Sequence, residues 1–308
     1  TEARKRLEAW IRKQGQENWR TAKKNPTVQE FAAAYHRWAE HHHKRKTRET
    51  EFQRWQAFID WRSPKRLGDV TRQDIQRFKL HLLESGKSKT TVNNYLRDIQ
   101  ALFGHAIKTF ELYSGENPVK GVERLKEEES PPPYLSLEQI DKFLEAAQAH
   151  SKEMHWFCML GIYAGLRHAE IGNCRWEWFD WERKLLHVPS DETFSLKSHR
   201  SRSIPLNEKL IEVLKPEAQE SGYLFESGKL NGGKSHYRYS PRKAFNTVRK
   251  NAKLQWVTPH TLRHTFGTQL GRANVSPLLI KEWMGHQDIK VTMRYAHVQG
   301  YSPDINRF

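Results

Sequence analysis

In the first half of the chain, apolar residues recur every three or four positions. Phe31, Ala34, Tyr35 and Trp38 form one stripe, and Phe52, Trp55, Phe58 and Ile59 a second. Ile75, Phe78, Leu82 and Leu83 form a third. The longest runs through Val92, Tyr95, Leu96, Ile99, Leu102, Phe103, Ala106 and Ile107. Such spacing gathers each set on one face of an α-helix. Start and stop signals bracket the stripes. Thr27 with Glu30 makes a capping box, Thr71 caps a helix with Asp74 in its first turn, and Gly86 stops that helix. The first half therefore predicts a small all-helical bundle. Residues 1–25 are polar and rich in Arg and Lys, with only a weak stripe of Leu7, Trp10 and Ile11.

The pattern breaks at the run EEESPPPY (127–134), where three prolines forbid a helix and favour extended backbone. Ser136 with Gln139 restarts a helix carrying Ile140, Phe143 and Leu144. From Met154 to Leu166 the chain is almost continuously apolar, which predicts a helix buried all round. The period then changes. The run WEWFDWERKLLHV (176–188) reads as two short strands about a turn near Glu182–Lys184, and SRSIPL (201–206) as a third. Helices return over 206–215 and 240–254. Thr258-Pro259 and Ser276-Pro277 each pair an N-cap with a proline at the first helical position. Gly285 closes one helix, and a last short helix covers 288–297. The expected fold class is mainly α with a small antiparallel β-sheet. The expected partition is 1–25, a helical bundle over 26–126, a linker over 127–135, and a mixed α+β domain over 136–308.

Composition sharpens this. Hydrophobic residues make up only 37%, but 11 Trp and 14 Phe supply large side chains for real cores. Lys and Arg total 52 against 36 acidic residues, giving a net charge of +16. Both halves carry the excess, so a basic tail does not account for it. A polyanion that touches both halves does, and nucleic acid is the obvious one; simple solubility charge is the plainer reading. Two cysteines, Cys158 and Cys174, give no disulfide framework and suit a reducing compartment as small core residues. No apolar run approaches the roughly 18–20 residues that cross a bilayer. No signal-peptide pattern is visible, and an opening at Thr1 rather than Met is expected of a fragment.

Four segments could carry chemistry. GLRHAE (165–170) sets Arg167 at the end of the buried helix with Glu170 one turn on, which is also what a structural ion pair looks like. LKSHRSRSIPL (196–206) holds Lys197 at the turn before a strand, ordinarily a solvated loop lysine. TPHTLRHTF (258–266) places His260, Arg263 and His264 on neighbouring turns of one helix face. Three such side chains repel one another, so that face is solvated or meets an anion. MGHQDIKVTMRYAHV (284–298) offers His286 just after a helix stop and Tyr295 between Arg294 and His297.

In order, these residues read Arg–Lys–His-x-x-Arg–His–Tyr, and here the sequence resembles the tyrosine recombinase, or phage integrase, family. The likeness runs from about Thr27 to the end. It is more general in the first half, where it rests on TRQDI (71–75), TTVNNYL (90–96) and NPV (117–119). It implies an N-terminal core-binding (SAM-like) helical domain and an α+β catalytic domain, with residues 1–25 an extension or the remnant of an arm-binding region. It implies a site-specific recombinase that cuts and rejoins DNA through a 3′-phosphotyrosyl intermediate and a Holliday junction. Arg167 and Arg263 would clamp the phosphate, because guanidinium forks meet its oxygens bidentately and stay charged. Tyr295 would be the nucleophile, His260 its proton acceptor, His286 a donor to a non-bridging oxygen, Lys197 the acid for the leaving 5′ oxygen, and Glu170 a support. His264 is placed outside this set, since the second histidine of the motif is mostly structural in the family. The resemblance further implies no cofactor and no metal, and no membrane partner. Its partners would be double-stranded DNA with an inverted-repeat core site, a homotetramer on synapsed DNA, and accessory proteins that bend DNA or set direction. The setting would be cytoplasmic and nucleoid-associated, in a prokaryote or phage. The tail 301–308 would pack on a neighbouring protomer.

Three rivals remain. Telomere resolvases and type IB topoisomerases share the tyrosine and basic pocket but not the strand exchange. A DNA-binding protein with a decayed site would lack competent residues at these positions, and here all are filled. A zinc enzyme would need an acid in its His-x-x-x-His helix, where this chain has Arg263.

Overall fold

A computed structural model describes residues 24–128, 131–190, 201–225, 239 and 241–296. The chain divides into two compact units, Thr1–Glu129 and Ser130–Phe308. In the first, α1 (Val28–His42) begins with the expected reciprocal cap: the Thr27 hydroxyl accepts from the Glu30 amide at 3.2 Å, and the Glu30 carboxylate accepts from the Thr27 amide at 2.8 Å. α2 (Arg45–Arg62) follows after a two-residue break, so the basic run at 41–46 straddles the junction. α3 (Arg72–Glu84) carries the Thr71–Asp74 box and ends before Gly86, whose φ of +77° favours a residue without Cβ. α4 (Lys89–Gly104) runs into a π-helical turn over His105–Thr109.

The stripes close one core, in which Phe31, Trp55, Phe58, Ile75, Phe78, Leu96, Ile99 and Phe103 are buried. Phe52 is an exception at 44% exposure. It sits at the margin of a stripe centred between Trp55 and Phe58, too far round the helix to reach the core. Behind the bundle the chain returns along α4. The Asn93 amide donates to the Leu125 carbonyl at 2.8 Å and to Glu127 at 2.7 Å, and its oxygen accepts from the Leu125 amide at 2.9 Å.

The second unit opens with Leu135 tied to a later helix. Its amide donates to the Thr265 hydroxyl at 2.9 Å, and its carbonyl accepts from Gln269 at 3.3 Å. α5 (Leu137–His150) starts at a Ser136–Gln139 capping box. α6 (Lys152–Tyr163) buries Met154 and Trp156 through Ile162, as its unbroken apolar run requires. α7 (His168–Gly172) is a single short turn. Strands β1 (Phe179–Asp180), β2 (Leu185–Val188) and β3 (Arg202–Pro205) form an antiparallel sheet in that order, with Leu186 opposite Ile204. Strand structure starts at Phe179 rather than at Trp176. Residues 176–178 form a 3₁₀ turn that buries both tryptophans, a packing gain that outweighs three more residues of pairing.

The remaining helices are α8 (Glu208–Leu214), α9 (Arg242–Asn251), α10 (Pro259–Arg272), α11 (Pro277–Met284) and α12 (Ile289–Ala296). α10 packs against α6, α11 and α12 and so runs through the middle of the unit. Cys158 and Cys174 are free and fully buried, and burial pushes both thiols upward. Among the described residues no helix is long and apolar enough to cross a membrane, and no three His, Cys, Asp or Glu side chains are grouped to hold a metal.

Candidate active site

Three chain reversals bring the site together. After α6, Gly165 turns with φ +61° against α10, where a Cβ would lie 2.2 Å from the Phe266 ring. That turn delivers Arg167 to the start of α7. α10 begins at Thr258, whose hydroxyl accepts from the Thr261 amide at 3.1 Å, with Pro259 at the first helical position. α11 stops at Gly285, φ +64°, packed so closely on Arg202 that a Cβ would meet its Cδ at 3.1 Å.

The end of α11 collects three arginines. Arg202 donates to the Trp283 carbonyl at 2.7 Å, Arg263 to that of Met284, and Arg167 to that of Gly285 at 2.7 Å. These last carbonyls lack intrahelical donors and form the negative end of the helix dipole, which explains why cations gather there. Arg263, 1% exposed, also donates to the Gly165 carbonyl at 2.5 Å. Glu170 supplies the carboxylate: Arg202 grips it at 3.1 and 2.6 Å and Arg167 at 2.8 Å. Burial alone would raise its pKa, but Arg202, Arg263 and Arg167 outweigh burial and hold it at about 2. Burial, followed by the neighbouring Arg167, lowers Arg263 to about 9, which still leaves it charged at neutral pH. Two guanidinium groups thus grip one carboxylate while the third, Arg263, acts on it through charge, and positive charge is left over in a site where Arg202 and Arg263 are buried. A buried excess of this kind is costly until an anion arrives.

Tyr295 is seated by two glycines. α12 lies across Gly267 and Gly271 of α10, where added Cβ atoms would lie 3.0 Å from the phenol ring and 2.5 Å from the Tyr295 carbonyl oxygen. The phenol is 2% exposed. Its hydroxyl is 2.7 Å from Nδ1 of His264, and its ring stacks beside that of His286, centroids 6.2 Å apart and 16° between planes. His286 is held in turn by Thr292, with Nδ1 to Oγ1 at 2.9 Å. Burial raises the phenol pKa, opposed by Arg263 and Arg294. Burial, then His260, Arg263 and Arg294, lowers His264 to about 4. Burial, then Arg263, Arg167 and Arg202, lowers His286 to about 3. At neutral pH the phenol therefore keeps its proton and His264 is uncharged, so the contact between them is a hydrogen bond between two neutral groups. His260 stands exposed on the first turn of α10, its ring 4.3 Å from that of His264 and edge-on at 71°. Beside this group a cavity of about 480 Å³ is lined by Arg202, Lys281, Gly285, His286 and Gln287.

The fold thus gathers Arg167, Glu170, Arg263, His286 and Tyr295 around one helix end, with His260 at the exposed edge of α10. Lys197, His297 and the tail 301–308 lie outside the described residues. Two residues enter the site that sequence reasoning did not select. Arg202 was read only as part of a strand; its signal was a charge two positions from Ile204, on the inward face of β3, where a partner is obligatory. His264 was set aside on the strength of the resemblance, although helix spacing alone places it beside His260 and Arg263.

A mainly helical protein whose second unit buries a tyrosine beside clustered arginines has the architecture of a tyrosine recombinase. Residues 133–300, more than half of the chain, match the model of the phage integrase family, and the chain belongs to that family. Among curated relatives, a tyrosine recombinase of Pseudothermotoga lettingae is 27% identical over 243 residues, covering 75% of this chain and 79% of the relative. The tyrosine recombinase XerD of Oceanobacillus iheyensis is 28% identical over 244 residues, covering 74% and 78%. Among solved structures, the Tn1549 transposon integrase in complex with transposon right end DNA shares the fold, with a TM-score of 0.72 at 22% identity over 92% of this chain and 98% of that one. A lambda integrase dimer bound to a COC' core site matches with a TM-score of 0.68 at 17% identity over 90% and 98%. The protein is accordingly a DNA strand-transferring enzyme of the site-specific recombinase class.

Proposed function

We propose that Tyr295 attacks a DNA phosphodiester held by Arg167 and Arg263, forming a 3′-phosphotyrosyl link and releasing a 5′ hydroxyl. The observation that carries this reading is the surplus of buried guanidinium charge beside a buried phenol. A phosphodiester repels nucleophiles through its non-bridging oxygens, and the phosphorane-like transition state carries more charge still. Pre-set cations aimed at those oxygens lower the barrier, each by roughly 3–4 kcal/mol on the scale of a lost oxyanion donor. His286 donates to one non-bridging oxygen and Lys197 protonates the departing oxygen. Arg202 acts through Glu170, fixing the carboxylate that orients Arg167. His260 is the final acceptor of the phenolic proton, on the solvent side, where its ring lies 4.3 Å from that of His264. Bond energy is conserved in the protein–DNA link, so the chemistry requires neither a nucleotide nor a metal. The freed hydroxyl attacks a partner strand, and two such rounds pass through a Holliday junction within a homotetramer. The substrate is duplex DNA with an inverted-repeat core site, bound largely through phosphates and hence salt-sensitive, and accessory proteins set its direction. Residues 26–126 form the core-binding domain, 127–135 the linker, whose last residue Leu135 packs into the catalytic domain, and 136–308 the remainder of that domain.

The test is to select the core site from randomised duplexes and place it in a nicked suicide substrate. Wild type should give a covalent adduct resistant to denaturant, and Tyr295→Phe none. An adduct of equal yield in Tyr295→Phe would remove the assignment.

A further inference from the structure

We infer that His264 is a catalytic residue: its Nδ1 takes the proton of Tyr295 during cleavage, and the edge-on contact with His260 leads that charge to solvent. The inference rests on the reading of Tyr295 as nucleophile and assigns its activation to a side chain that the sequence motif did not single out. The phenolic hydroxyl and Nδ1 of His264 are already 2.7 Å apart, the distance at which a general base removes a proton. Exposure rises along the series, from buried Tyr295 through half-buried His264 to exposed His260, whose ring lies 4.3 Å from that of His264.

The step balances. The phenolic O–H bond breaks as Nδ1 gains that proton and Nε2 releases one to His260 or water. The phenolate oxygen bonds to phosphorus as the bond to the 5′ oxygen breaks, and that oxygen takes a proton from the general acid. Rejoining reverses each move. The groups that tune His264 are His260 and Arg263 on α10, Arg294 and Tyr295 on α12, and His286 from the turn between α11 and α12. Burial, then His260 and the two arginines, keep the resting imidazole neutral, and so able to accept. Arrival of an anionic phosphate offsets those charges and makes imidazolium easier to form.

Single-turnover cleavage of the suicide duplex should be followed from pH 5 to 9 for wild type, His264→Gln, His260→Gln and Tyr295→Phe. Glutamine can still accept the phenolic hydrogen bond but cannot carry the proton away. His264→Gln should lose roughly 100-fold or more at pH 7, the usual scale of general-base catalysis, and the gap should narrow as pH rises toward phenol ionisation. His260→Gln should lose less. The gap for His264→Gln should persist on a duplex with sulfur at the 5′ bridging position, whose thiolate departs without an acid. A wild-type profile for His264→Gln, or a loss equal at every pH, would overturn the proposal, as would a gap that closes on the sulfur substrate. Adduct formation by Tyr295→Phe would instead defeat the underlying assignment of the nucleophile. A measurement on unaltered protein stands apart from folding of the variants. The ¹⁵N resonances of His264 should show an unprotonated Nδ1 and a protonated Nε2 at pH 7, and the opposite tautomer would also overturn the proposal.

Discussion

Replacing Gly271 by alanine should separate the stability of this enzyme from its activity. An alanine in a helix interior is favoured over glycine by about 1 kcal/mol, so the change would stabilise α10 if space allowed. Space does not allow it: the new Cβ would stand 2.5 Å from the carbonyl oxygen of Tyr295 and 3.2 Å from its carbonyl carbon. Both are backbone atoms, so no rotamer change relieves the contact. α12 must move by something on the order of 1 Å to restore van der Waals distance, and overpacking of this kind costs about 1–3 kcal/mol. The two effects nearly cancel in the unfolding free energy, leaving a net loss below about 2 kcal/mol. They do not cancel in the reaction, where a 1 Å displacement of an attacking group can cost about 100-fold. Urea unfolding and single-turnover cleavage, run side by side, check this. Gly104→Ala is the control. Its position is helical at φ −59° and ψ −43°, with nothing within 4 Å of a new Cβ, so it should gain a few tenths to 1 kcal/mol and cleave normally. Wild-type cleavage by a thermally stabilised Gly271→Ala would show that the glycine notch does not place the nucleophile.

Two further outcomes follow from the buried charges. Glu170→Gln leaves Arg202, with a side chain only 3% exposed, and its two companions without their carboxylate. Removing one side of a buried ion pair costs about 3–5 kcal/mol, to be read by urea unfolding, and a loss under 1 kcal/mol would refute this account of the cluster. Acid should destabilise the second unit in two stages. His264 and His286 are held neutral, at about 4 and about 3. The unfolded chain binds protons there from about pH 6.5 downward while the folded chain does not, so stability falls as pH drops through that interval. Glu170, depressed to about 2, adds stability that is complete above the unfolded carboxylate range and is lost as pH falls from about 4.3 toward 2. Thermal melts at low salt should show both stages, and His286→Gln should flatten the first; an unchanged slope in that variant would contradict burial of a neutral imidazole.

What the sequence made legible follows from which forces are local. Capping boxes at Thr27, Thr71 and Ser136 were readable because cap and partner lie three residues apart. The glycine stop at Gly285 and the buried run of α6 were readable for the same reason. The resemblance gathered Arg167, Arg263, His286 and Tyr295 into one site on the strength of their order, but periodicity by itself could not bring them together. Their meeting depends on α11 ending where three arginines from α7, β3 and α10 can reach its carbonyls, a relation between segments up to 118 residues apart. The role of Arg202 was hidden because its partner Glu170 lies 32 residues earlier. His264 was legible by spacing and was discounted by analogy. The phenol it holds lies 31 residues further on, beyond the reach of any helical period.

The hydrogen bond from Leu135 to Thr265 decides where this polypeptide can be cut in two. The proline run looks like the natural seam, and Ser136 with its capping box looks like a clean new beginning. Yet Leu135, 0% exposed, belongs to the helix that bears Arg263 and His264, and Gln269 holds its carbonyl. A fragment begun at Ser136 would leave a hole beside that helix and strip a ligand from Thr265. One begun at Pro131 carries its own plug.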